Sequence, residues 1–215
     1  MRQFTHPVSA AMIWLLVCML GEAIGIAGIA TAYVATDSGS LPYTATILIA
    51  GGVEGLALGA FQALVLRGRV RGFSSTGWIV ATLGVALLAY GASLAFGAGA
   101  PSAPLAPAAA DAATAAPPLF LTLPAAGAVG LVLGALMGAA QAMFGRLHHV
   151  PVMRWSLASG LGWALAMVVI TAAASSFVPQ TLGAAALIGG LTGAAAGLLL
   201  GLATLFALPR QSSFF

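Results

Sequence analysis

Two glutamates, Glu22 and Glu54, each stand about midway along a long apolar run. Carboxylates at the centre of a bilayer are expensive, and residues of that kind mark ion paths, proton relays or pairing sites. If the two runs are antiparallel helical neighbours, the carboxyls lie at similar depth and can share one proton. That is the chemistry of a proton relay or a cation site. The other use is structural: a neutral acid hydrogen-bonding a neighbouring helix or a partner subunit. No arginine lies inside the apolar runs, away from their ends, to pair with either acid, and the chain has no lysine.

The remaining polar candidates are few. Gln62 and Gln141 fall about 12 Å from mid-span toward the arginine-bearing end, by helical rise, and are expected to hydrogen-bond across helices. His148 and His149 are adjacent, so on a helix they point about 100° apart. They make a poor chelate, and the only other histidine is His6. No metal and no cofactor is expected. The single cysteine, Cys18, excludes an intrachain disulfide and reads as a small buried apolar side chain. The chain contains no HExxH, phosphate loop or GxSxG motif. No catalytic residue and no enzymatic activity are expected.

The elements that position these residues follow from composition. Of 215 residues, 61% are hydrophobic and 5% charged, against about a quarter charged in a soluble domain. A soluble fold would have nothing polar to cover itself with, whereas lipid accepts an apolar exterior. Seven arginines and a net charge of +3 are too little for a nucleic-acid footprint. A membrane helix needs about 20 apolar residues. Six stretches qualify: 8–35, 43–66, 76–97, 119–145, 152–177 and 182–208. The fold class is therefore all-α, a polytopic bundle of six transmembrane helices forming a single membrane domain. The first run is too long for the apolar core of a cleaved leader and contains Glu22, so it is expected to be a span.

With six spans every arginine falls on one side: Arg2, Arg67, Arg69, Arg71, Arg146, Arg154 and Arg210. Asp37 and Asp111 fall on the other. The positive-inside rule makes the arginine side cytoplasmic, with both termini there. The Ala/Pro segment 98–118 becomes an exterior loop, low in complexity and expected to be a flexible tether.

The even spans share a pattern. Gly51, Gly55 and Gly59 precede Gln62; Gly130, Gly134 and Gly138 precede Gln141; Gly193, Gly197 and Gly201 precede Thr204, with Gly189 extending the last series. Arg67, Arg146 and Arg210 follow. The odd spans carry Trp14, Trp78 and Trp155 near their arginine ends, and Gly21, Gly84 and Gly162 beyond them. This predicts three parallel hairpin repeats, about 8–66, 73–146 and 152–208, able to close around a pseudo-threefold axis. Glycines spaced four apart line one helix face and let another backbone approach. Two uses follow, packing between the hairpins or docking of a partner helix or lipid. The tryptophans are expected to be interfacial anchors. The positions matching Glu54 are Leu133 and Ala196, and those matching Glu22 are about Ala86 and Trp163, so only the first hairpin carries acids.

The segments Gly55-Leu56-Ala57-Leu58-Gly59-Ala60-Phe61-Gln62 and Gly134-Ala135-Leu136-Met137-Gly138-Ala139-Ala140-Gln141 resemble those of bacterial polytopic membrane proteins of uncharacterised role. That group has repeated Gly-x-x-x-Gly-x-x-Gln helices, an arginine turn and a following tryptophan helix. The resemblance implies a place in the bacterial inner membrane and no activity. Two functions are expected from the residues: a non-catalytic membrane subunit or scaffold that docks partner membrane subunits through its glycine faces, or a small transporter or channel coupled through Glu22 and Glu54. The expected partners are the lipid bilayer and other membrane subunits, with a homo-oligomer as a further option and nucleic acid excluded.

Overall fold

The computed structural model describes residues 7–37, 42–95, 118–148 and 150–208. Arg2, His6, Asp111, His149, Arg210 and the expected tether, apart from Pro118, lie outside the described residues. Six helices follow in order: α1 (Pro7–Asp37), α2 (Tyr43–Leu66), α3 (Ser75–Ala95), α4 (Leu119–Phe144), α5 (Val152–Ser176) and α6 (Leu182–Leu205). All six are long and apolar enough to cross a membrane, and the described residues contain no strand. A helix the length of α2 spans about 36 Å, enough for a hydrocarbon core about 30 Å thick. Prolines set three of the starts. Pro42, Pro118 and Pro151 occupy the N-caps of α2, α4 and α5, the first two with extended backbone, where a missing N–H costs nothing. Thr181 caps α6, accepting from the Ala184 amide at 3.2 Å.

Each helix packs on the next in the chain, and α6 returns to pack on α1. The bundle is a closed ring of antiparallel neighbours, with the described arginines at one end. Because the helices are apolar on every side, amphipathicity does not decide which faces turn inward; small residues do. The outer surface carries large apolar side chains such as Leu88, Ile49 and Leu191, which suits lipid.

The ten glycines of the three spaced series on the even helices are all engaged by this chain. A Cβ at Gly55 would lie 2.8 Å from the Ala86 Cβ of α3. One at Gly138 would lie 2.7 Å from the Ser159 Cβ of α5, and one at Gly189 2.7 Å from the Ile26 carbonyl oxygen of α1. Gly51 and Gly59 likewise meet Tyr90 and Thr82 of α3; Gly130 and Gly134 meet Trp163 of α5; Gly193, Gly197 and Gly201 meet Glu22, Cys18 and Leu15 of α1. Of the two uses expected of these faces, packing between helices of this chain is the one the contacts show. The faces are filled from within, because the odd helix that follows in the ring is the nearest backbone able to use a face without side chains. The glycine series thus lie in the seams that join α2 to α3, α4 to α5 and α6 to α1.

A methyl group tests such a seam. At Gly197 it would meet the Cys18 carbonyl carbon and the Met19 Cα at 2.7 Å each. Gly197→Ala is expected to destabilise the bundle by about 1–3 kcal/mol through overpacking. Gly183→Ala, on the same helix but with nothing near its Cβ, should leave the melting temperature unchanged or slightly raised. Thermal unfolding of the two purified variants in detergent decides; equal melting temperatures would refute the close-packing account.

Candidate functional site

At the arginine end the ring closes over three indoles. Trp14, Trp78 and Trp155 are fully buried. Trp155 meets the other two edge-on, with centroids 6.1 Å from Trp14 and 5.6 Å from Trp78. The interfacial-anchor expectation is thus corrected. An indole N–H buried here needs an acceptor, and each finds one on the preceding even helix in the ring. Trp78 donates to Gln62 Oε1 at 3.2 Å, Trp155 to Gln141 Oε1 at 3.2 Å, and Trp14 to Thr204 Oγ1 at 3.0 Å. The two amides reach backward as well. Gln141 Nε2 donates to Thr82 Oγ1 at 3.0 Å and Gln62 Nε2 to Cys18 Sγ at 3.5 Å. Each glutamine therefore ties together the odd helices on either side of it. Cys18 is buried as expected, but it also accepts a bond, and burial pairs it with Thr82 and Ser159 at the corresponding places on α3 and α5. These small polar residues one turn beyond each tryptophan were not singled out in the sequence; their shared spacing from Trp14, Trp78 and Trp155 was the available signal.

Farther along the bundle lie the acids. Glu22 is completely buried and Glu54 is 4% exposed. They lie close enough for their charges to interact, as expected of antiparallel neighbours. Gly25 makes room for them: a Cβ there would collide with the Glu54 side chain. Their environments differ. The Tyr90 hydroxyl of α3 donates to Glu54 Oε2. Glu22 has no hydrogen bond at either oxygen among the described residues. Tyr90 was missed in the sequence, although the signal was present. Its counterparts, counted from each tryptophan, are Ile26 and Met167. Glu54 and Tyr90, two of the places where a polar residue replaces apolar ones, are bonded to each other. Farther along, Tyr33 and Tyr43 meet with centroids 6.0 Å apart and ring planes tilted by 52°. Polar groups thus extend from the acids toward the end opposite the arginines.

Glu54 and Tyr90 also form part of the wall of a half-enclosed cavity of about 660 Å³, otherwise almost wholly apolar. Its lining comes from α2, α3, α4 and α5 and includes Thr82, Met137 and Trp163. The origin of the space is a seam that does not close. Gly21 of α1 would place a Cβ 2.8 Å from the Leu58 Cα of α2, and Gly162 of α5 one 3.0 Å from the Leu200 Cα of α6. The residue at the same spacing from Trp78 is Val85, not a glycine; its side chain and Met137 line the cavity, and α3–α4 is the loosest seam of the ring. The cavity occupies the gap.

His148 lies in the α4–α5 turn, and no group of three metal-binding side chains exists among the described residues. Arg154 caps the far end of α6 by donating to the Phe206 carbonyl. No family model, no curated protein and no solved structure matches this chain.

Proposed function

We propose that this protein is a small multi-pass membrane carrier in which Glu22 and Glu54 take up and release a proton or a cation. The observation that carries the reading is Glu22, buried halfway along α1 with both carboxyl oxygens unbonded among the described residues. A structural acid in a packed interior holds hydrogen bonds. One left without them costs about 1–3 kcal/mol, and an apolar residue would fill the same space without that cost. A carboxyl that must exchange its proton or counter-ion is better served by having no fixed partner. Glu54, held by Tyr90 and facing the cavity, provides the second station. The subunit-docking alternative requires open glycine faces, which α1, α3 and α5 already occupy. The arginine distribution supports a bacterial inner-membrane orientation with both termini cytoplasmic.

The test is flux. Wild-type protein reconstituted into liposomes with an internal pH dye is expected to dissipate an imposed proton gradient. The double variant Glu22→Gln/Glu54→Gln should lower that rate at least tenfold while eluting from size exclusion as the wild type does. Undiminished flux in a well-folded double variant would remove the acids from the mechanism.

A further inference from the structure

The cavity beside Glu54 has the size of a small-molecule site, since such sites span about 300–1,000 Å³. Its wall is apolar except for a few groups, of which one is ionisable to an anion and lies against a tyrosine hydroxyl. No cationic side chain pairs with that carboxylate among the described residues. Among the described residues no cationic side chain lies deeper in a helix than Arg154, in the first turn of α5. The counter-charge must therefore arrive from outside, as a proton or as a ligand. Two aromatic rings, Tyr90 and Trp163, also belong to the wall, and aromatic faces attract cations, more strongly where water is excluded. The wall includes exposed residues of α3 and α4, among them Ala92, Val129 and Val132, so the space communicates with the outer, lipid-facing surface along the loose α3–α4 seam. A ligand using this entrance must dissolve in lipid and carry its charge on an apolar body.

We propose that the α3–α4 cavity binds a lipophilic organic monocation, an ammonium or phosphonium type, entering from the bilayer with its charge on Glu54 and its apolar groups against Val129, Met137 and Trp163. This names the substrate class of the carrier proposed above and rests on that reading for transport, although binding is measurable without it. The unbonded Glu22 lies behind Glu54, away from the residues that line the cavity, where it can hold the proton while the cation occupies Glu54.

The experiment is equilibrium binding of tetraphenylphosphonium to the purified full chain in lipid nanodiscs, with neutral triphenylphosphine oxide as the comparison. The phosphonium is expected to bind at least tenfold more tightly than the neutral compound. Glu54→Gln should weaken it at least tenfold. Ala89→Phe, which fills the wall without touching the acids' charge, should do the same, so a folding failure of one variant does not remove the test. Equal binding of the neutral compound would overturn the proposal in favour of an uncharged lipid-like occupant. Retention of phosphonium affinity in both variants would place the site elsewhere. Failure of the folded wild type to bind the phosphonium, while acid-dependent proton flux persists, would discard the substrate class and leave the carrier. Glu54-dependent binding without any flux would keep the cation site and discard the carrier.

Discussion

Glu22→Leu is expected to make the protein more stable and inactive. The carboxyl is fully buried and both its oxygens lack hydrogen bonds among the described residues. Leucine occupies a comparable volume and carries no polar group to desolvate, so removing the acid should return about 1–3 kcal/mol. Thermal unfolding in detergent should therefore shift upward, while proton flux in liposomes falls at least tenfold. The two readouts separate the possible roles. A structural acid bonded to a neighbour would give lower stability on replacement, and a neutral filler would give unchanged flux. Either result would count against Glu22 as an exchange group. Glu54→Leu should behave differently, because it strips the Tyr90 hydroxyl of its acceptor. A gain at Glu22 and a loss at Glu54 would be the signature of two acids with two different environments.

Trp155→Ala is expected to be the most destabilising single truncation in the bundle. Trp155 packs edge-on against both other indoles and is fully buried. Truncating a buried tryptophan typically costs about 3–5 kcal/mol. The loss here should approach the upper end, because Gln141 Oε1 loses its donor at the same time. Trp155→Phe keeps most of the ring contact and removes only the N–H, so its cost should be lower, near the penalty of one unpaired buried acceptor, about 1–3 kcal/mol. Leu161→Ala, at a side chain 58% exposed on the same helix, serves as the reference and should change little. Loss of stability in the order Trp155→Ala, Trp155→Phe, Leu161→Ala, measured by thermal unfolding, is the expected outcome. An interfacial anchor would instead show Trp155→Ala close to the reference.

The same residues explain what could be read in advance. The six spans were legible because their signal is local: a run of about 20 apolar residues bounded by proline, glycine or arginine is sufficient in lipid. The starts of α2, α4, α5 and α6 coincide with the expected ones. The placement of Gln62 and Gln141 as bridges between helices was legible too, since a buried amide in an apolar surrounding has to find partners. The likeness between Glu22 and Glu54 in depth followed from helical rise alone.

Other features depend on which helix stands beside which, and no local pattern contains that. Trp14, Trp78 and Trp155 lie at the same level on three different helices. Whether they turn outward to headgroups or inward to one another is decided by the glycine seams, which rotate α1, α3 and α5 until each indole faces an acceptor on the helix before it. The glycine series announced close backbone approach but not its partner; ring closure supplied one for every face. Val85 at the place of Gly21 and Gly162 is readable from spacing, but the loose α3–α4 seam that it lines is visible only in the tertiary structure. By itself the sequence determined how many helices cross, where they begin and which polar residues they bury, because hydrophobic length and hydrogen-bond demand are properties of a segment. The tertiary structure alone decided that the tryptophans form a core, that the glycine faces are occupied, that Glu22 is unbonded while Glu54 meets Tyr90, and that a cavity opens at one seam. Those are properties of pairs of segments, set by how closely two backbones can pack.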